Sequence, residues 1–198
     1  MNLPNKLTML RIILSFIVIT LVGMDTHIFG FNWPTYLIGG RIVLKLNYII
    51  AGVLFVIASL TDMLDGKIAR KYNLVTDFGK TMDAIADKVL VNGLLIVLAY
   101  NHNISLIVPV IIITRDIFVD SIKMVSGSKG KVVAASKAGK IKTACMMVGI
   151  TLVLFSNLPF ELLNIKVADG LVLLATCFSI YSGIEYFIVN KDLVFKDM

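Results

Sequence analysis

Four aspartates, Asp62, Asp65, Asp83 and Asp87, lie in the stretch "TDMLDGKIARKYNLVTDFGKTMDAIADK", residues 61 to 88. At 100° per residue, Asp62, Asp65, Gly66 and Ala69 share one narrow helix face, and Gly79, Asp83 and Asp87, spaced four apart, form a stripe on the next helix. If those faces meet, four carboxylates converge, and four negative charges in a partly dry cleft require either protons or cations. With no His or Cys beside them, the oxygen-only donor set favours a hard cation, Mg²⁺ or Mn²⁺, and four carboxylates suit a pair of ions better than one. Two such ions are a standard means of stabilising phosphoryl displacement, so phosphate chemistry is the inference. The bland alternative is an ordinary solvated interface at a helix end, and Asp77 is expected only to cap the third helix.

The elements that must hold these residues follow from composition. The chain has 198 residues, of which 58% are hydrophobic and 16% charged, with a mean hydropathy of +0.88. Soluble domains are about 45–50% apolar and about 25% charged, so an integral membrane protein is expected. Six apolar runs are long enough to cross a bilayer, at about 6–24, 45–70, 79–101, 104–126, 138–157 and 169–190, which predicts an all-α polytopic bundle of six transmembrane helices. No linker, low-complexity tract or repeat divides residues 1–198, so one domain is expected. The first run lacks a small-residue cleavage site and reads as a retained helix.

In this six-span arrangement every Lys and Arg falls on one side, apart from Arg41, Lys45 and Lys166 on the other and Arg115 within the fourth span. Both termini and the aspartates are therefore expected at the cytoplasmic face. The net charge of +6 is distributed between apolar runs and gives no basic face for nucleic acid. His27 and His102 map to the external side, away from the aspartates, and Cys145 and Cys177 are expected to be buried free thiols.

The full constellation reads D62-x2-D65-G66-x2-A69-R70-x8-G79-x3-D83-x3-D87. With eight fixed residues at roughly 5% usage each, a chance match at a given start is on the order of 10⁻¹⁰. The motif resembles, without a substitution, the signature of the CDP-alcohol phosphotransferase family. That resemblance implies transfer of a phosphatidyl-type group from a CDP-linked donor to an alcohol, with release of CMP. It also implies a two-metal centre held by Asp62, Asp65, Asp83 and Asp87, with Asp87 as base for the attacking hydroxyl, and a homodimer. Gly66, Ala69 and Gly79 would leave room for a flat base or pyrophosphate, although small residues serve helix packing equally well. Arg70 would pair with donor phosphate or with the acidic cluster. Asn5, Thr8 and Arg11 border the donor on this reading, while helix-start signals and a snorkelling arginine explain them equally well.

On the acceptor side, Arg115 lies well inside the fourth span, where it needs a polar cavity or an internal partner such as Asp116, Asp120 or Glu185. Pro109 is expected to kink that helix. Ser136 and Lys137 at a helix start would form an anion site, with Lys140 in the same set. Lys129 and Lys131 read as contacts to anionic membrane lipids. Together with Arg115, Ser136, Lys137 and Lys140 suit an acceptor that carries a phosphate, such as glycerol 3-phosphate. The segments "SKAGKIKTA", "NLPNKLTMLRI" and "TRD" are similar to one branch of the family, which implies CDP-diacylglycerol as donor and glycerol 3-phosphate as acceptor. The alternatives are the same chemistry with inositol phosphate, serine or phosphatidylglycerol, a cation or proton transporter, or a scaffolding protein without turnover.

Overall fold

The computed structural model describes residues 3–24, 33–72, 76–130 and 136–194. Among them the chain order is α1 (Leu3–Gly23), β1 (Thr35–Ile38), β2 (Ile42–Lys45), α2 (Leu46–Lys71), α3 (Asp77–Tyr100), α4 (Ile107–Ser128), α5 (Lys137–Leu154), a 3-10 turn (Phe160–Leu163) and α6 (Val167–Val194). The six helices coincide with the six apolar runs, and the protein is all-α in its body. The hairpin is an addition to that expectation. Thr35 pairs with Lys45 and Ile38 with Ile42, and Gly39 and Gly40 close the turn at φ +60° and +70°, a conformation that favours glycine.

Two local expectations are corrected. The cap of α3 is Thr76, whose hydroxyl accepts from the Gly79 amide at 3.0 Å, which makes Asp77 the first helical residue. A hydroxyl one residue earlier does the capping. Pro109 does not fall mid-helix, because α4 begins at Ile107. In the first turn its missing N–H forfeits no helical hydrogen bond.

All six helices contribute to one apolar core, through Val18 and Val22, Phe55 and Ala58, Leu90, Leu94 and Leu98, Ile112, Met146 and Ile150, and Val172 and Ala175. α1 packs on both α2 and α3, while α6 packs on α4 and α5. Glycines set several of these approaches: a Cβ at Gly93 would meet Ile19 at 2.5 Å, and one at Gly149 would meet Val172 at 3.0 Å. A Cβ at Gly52 would come within 2.8 Å of the Phe155 ring, whereas one at Gly127 would meet nothing within 4 Å. Gly52→Ala is therefore expected to lower stability by about 1–3 kcal/mol through overpacking. Gly127→Ala is expected to raise it by up to about 1 kcal/mol, and thermal unfolding in detergent separates the two.

The outer surfaces of the helices are apolar: Ile13 and Phe16, Val53 and Ile57, Ile96, Ile117, Val148, and Leu173, Ile184 and Val189 are all exposed. Such continuous apolar exposure suits a lipid solvent. Among the described residues, Asn5–Gly23 and Val167–Lys191 are long and apolar enough to cross a membrane, and Leu46–Asp62 is a shorter apolar run. The molecule is a membrane protein by this composition. Cys145 and Cys177 are free as expected, but Cys145 is only half-buried and Cys177 is exposed, on an α6 face that an apolar surround would cover. His102 is exposed just beyond α3, at the end opposite the aspartates, while His27 and Lys131 lie outside the described residues.

Candidate active site

The site begins where the C-terminal half of α2 and the first turns of α3 lie against the start of α1. Asp62 on α2 and Asp83 on α3 are brought to a common point, and what joins them there is Arg11 of α1. Its Nη1 donates to Asp62 Oδ1 at 2.5 Å and to Asp83 Oδ1 at 2.6 Å, while the guanidinium is 1% exposed. The faces of α2 and α3 thus converge around a cation carried by a third helix. Arg11 is buried and turned inward, which corrects the snorkelling alternative. At position 11 it faces the Asp62 and Asp83 carboxylates.

Gly66 is half-buried on α2 beyond Asp62, whereas the side chains of Asp65, Ala69 and Arg70 lie outside the described residues. Gly79 faces α1: a Cβ there would lie 2.7 Å from Asn5 Oδ1. The Thr76 hydroxyl also donates to Asn5 Oδ1 at 3.3 Å, and Thr8 is buried one turn on. The contact supports the packing role of Gly79, since Asn5 fills the space that the glycine leaves. Asn5, Thr8 and Arg11 therefore form the α1 side of the carboxylate cleft.

Asp87, one turn beyond Asp83, opens in a second direction. It lines a small cavity with Lys88, Asn92, Asp116, Lys142 and Thr143. Here charges are paired between helices: Lys142 Nζ donates to both oxygens of Asp116 at 2.9 and 3.0 Å, and Lys88 pairs with Asp120. Arg115 Nη1 donates to the same Asp116 at 3.0 Å and Nη2 to Ser182 Oγ on α6 at 2.8 Å, with the guanidinium over the Tyr186 ring. Of the internal partners named from sequence, Asp116 is the one that Arg115 takes. Glu185 Oε2 is buried without a hydrogen-bond partner.

The Ser136–Lys137 helix start is present. Ser136 caps α5, its hydroxyl accepting from the Gly139 amide at 3.1 Å, and its own amide donates to Tyr186 OH at 3.2 Å. Arg115 does come close to this turn, since a Cβ at Gly139 would lie 3.5 Å from Arg115 Nη2. Lys137 and Lys140 are exposed on the first turn of α5. Sequence reasoning missed Lys142, which it counted among topology signals; in the structure it is buried against Asp116. A seven-residue lysine-rich run gives no sign of which member turns inward, beyond the apolar residues that begin at Ile141 and Ala144.

The donor chemistry fits a hard divalent cation. Two carboxylate oxygens from different helices already approach one positively charged nitrogen, with only oxygen donors offered. Among the described residues no group of three or more potential ligands is assembled, and the Asp65 side chain lies outside that set.

An all-α membrane chain that gathers carboxylates from two neighbouring helices at one end has the character of a phosphate-transferring membrane enzyme. The profile of the CDP-alcohol phosphatidyltransferase family matches residues 1–181, and the chain belongs to that family. A Bacillus subtilis protein named CDP-diacylglycerol–glycerol-3-phosphate 3-phosphatidyltransferase is 39% identical over 193 residues, covering 96% of each chain. Proteins of the same name from Mycoplasma genitalium and Rickettsia typhi are 35% and 32% identical, over 93% and 94% of this chain and 82% and 95% of their own. Members of the family are transferases and are generally metal-dependent.

Proposed function

We infer that the protein transfers the phosphatidyl group of CDP-diacylglycerol to glycerol 3-phosphate, giving phosphatidylglycerophosphate and CMP in phospholipid synthesis. The observation that carries this reading is the α3 stripe. Asp83 meets Asp62 in one cleft, and Asp87, one turn along, opens into a cavity bordered by the cationic side chain Lys142. A diphosphate donor in the first and a phosphorylated alcohol in the second would meet at Asp87.

Asp62, Asp65, Asp83 and Asp87 would hold two ions, Mg²⁺ or Mn²⁺, which when bound neutralise the donor diphosphate and the departing CMP. Asp87 takes the proton of the acceptor hydroxyl. Gly66, Ala69, Arg70, Gly79, Asn5 and Thr8 border the donor. Arg115, Ser136, Lys137 and Lys140 receive the acceptor phosphate, with Arg115 already held in a fixed pose by Asp116 and Ser182. Pre-orientation of this kind reduces the ordering cost of binding.

Residues 1–198 form one domain on this reading, supported by the core that all six helices share. The helices form a six-span bundle in the cytoplasmic membrane, with both termini and the site on the cytoplasmic side. Support comes from the apolar outer faces of the helices and from the one-sided distribution of Lys and Arg. The protein acts as a homodimer, as the family resemblance implies.

Purified protein given CDP-diacylglycerol, Mg²⁺ and one acceptor at a time is expected to release CMP with glycerol 3-phosphate and to stop on addition of EDTA. CMP release no greater than in buffer would overturn the acceptor assignment. Because both terminal nitrogens of Arg115 are engaged within the chain, the reading that keeps the chemistry but changes the acceptor is the main rival. Inositol phosphate, serine and phosphatidylglycerol belong in the same assay.

A further inference from the structure

The position of Arg11 has a thermodynamic consequence. A guanidinium that is 1% exposed must have anions, and among the described residues these include Asp62 and Asp83, each held through the same nitrogen at 2.5 and 2.6 Å. These are oxygens that the metal-centre reading requires. A hydrogen bond from a guanidinium and coordination to a divalent ion both draw on the lone pairs of one carboxylate oxygen, and two like-charged cations about 4 Å apart repel strongly in a partly dry cleft. Arg11 and a divalent ion therefore cannot both hold these oxygens at full strength. A displaced, buried guanidinium needs another anion, and the donor diphosphate is the one that enters the same cleft.

We propose that Arg11 is an internal cation that competes with divalent metal for Asp62 and Asp83, and that its transfer onto the donor diphosphate couples metal loading to donor binding. The inference rests on the metal-centre reading above. It makes Arg11 a positioning residue for the metal and a binding residue for the donor. By linkage, each ligand must then strengthen the binding of the other, and part of that mutual gain runs through Arg11.

The test is Mn²⁺ binding to the full-length protein in detergent, read from the electron paramagnetic resonance of free Mn²⁺, with and without CDP-diacylglycerol. Arg11→Gln, which removes the competing charge, is expected to bind Mn²⁺ about tenfold or more tightly than wild type in the absence of donor. Arg11→Lys keeps a charge without the planar bridging geometry and is expected to fall between them. Adding CDP-diacylglycerol should raise the Mn²⁺ affinity of wild type more than that of Arg11→Gln. Equal or weaker Mn²⁺ binding by both variants would overturn the competition, and an equal donor effect in wild type and Arg11→Gln would overturn the coupling. No Mn²⁺ binding by wild type or by either variant would instead remove the metal centre itself, together with this inference.

Discussion

Asp87→Asn is expected to lower kcat for transfer by about 10²- to 10⁴-fold while largely retaining Mn²⁺ and CDP-diacylglycerol binding. The side chain stands one turn beyond Asp83 and lines the cavity shared with Asp116, Lys142 and Thr143, on the side from which a phosphorylated alcohol would approach. Asparagine keeps the volume and one oxygen acceptor but cannot take up the hydroxyl proton. Asp62→Asn and Asp83→Asn are different in kind, since each removes a carboxylate that Arg11 joins and should weaken Mn²⁺ binding along with turnover. Measuring CMP release and Mn²⁺ binding on the same three preparations separates the roles. Full transfer by Asp87→Asn would take the base role away from this residue, and loss of Mn²⁺ binding equal to that of Asp62→Asn would make it chiefly a ligand.

The aspartate stripe was legible in the sequence because helical periodicity fixes which residues share a face, and because charge in an apolar run is costly enough to require a reason. The lengths of the apolar runs located all six helices. Arg11 could be seen but not interpreted: near a helix start, a snorkelling arginine and an inward one have the same neighbours in sequence. Only the packing of α1 on both α2 and α3 decides between them. Lys142 was hidden among lysines whose shared property is topology, and its burial depends on where Asp116 falls on α4. The hairpin at residues 35–45 did have a signal, two β-rich runs around Gly39-Gly40, but it stood in a segment that the six-span pattern treats as a connection. Cys177 shows the converse difficulty, since an apolar helix in a lipid solvent has no polar face to indicate which side is buried.

Asp116→Ala is expected to cost about 3–5 kcal/mol of stability. Asp116 neutralises two cations from two helices, Arg115 on its own α4 and Lys142 on α5, and Arg115 continues to Ser182 on α6. Removing the carboxylate leaves both cations poorly hydrated and without the anion they share, whereas Lys142→Ala leaves Asp116 its Arg115 partner and should cost about 1.5–3 kcal/mol. The double variant should therefore be more stable than the sum of the single losses predicts, by about 1–3 kcal/mol, because the second substitution deletes a charge that the first had stranded. Thermal unfolding of the three variants in detergent measures this coupling, and strict additivity would mean that Lys142 finds another anion when Asp116 is gone. The same cycle bears on function through Arg115. If Asp116 fixes the guanidinium for an acceptor phosphate, Asp116→Asn, which keeps the shape but weakens the grip, should raise KM for glycerol 3-phosphate more than KM for CDP-diacylglycerol. An equal rise for both substrates would confine Asp116 to holding α4, α5 and α6 together.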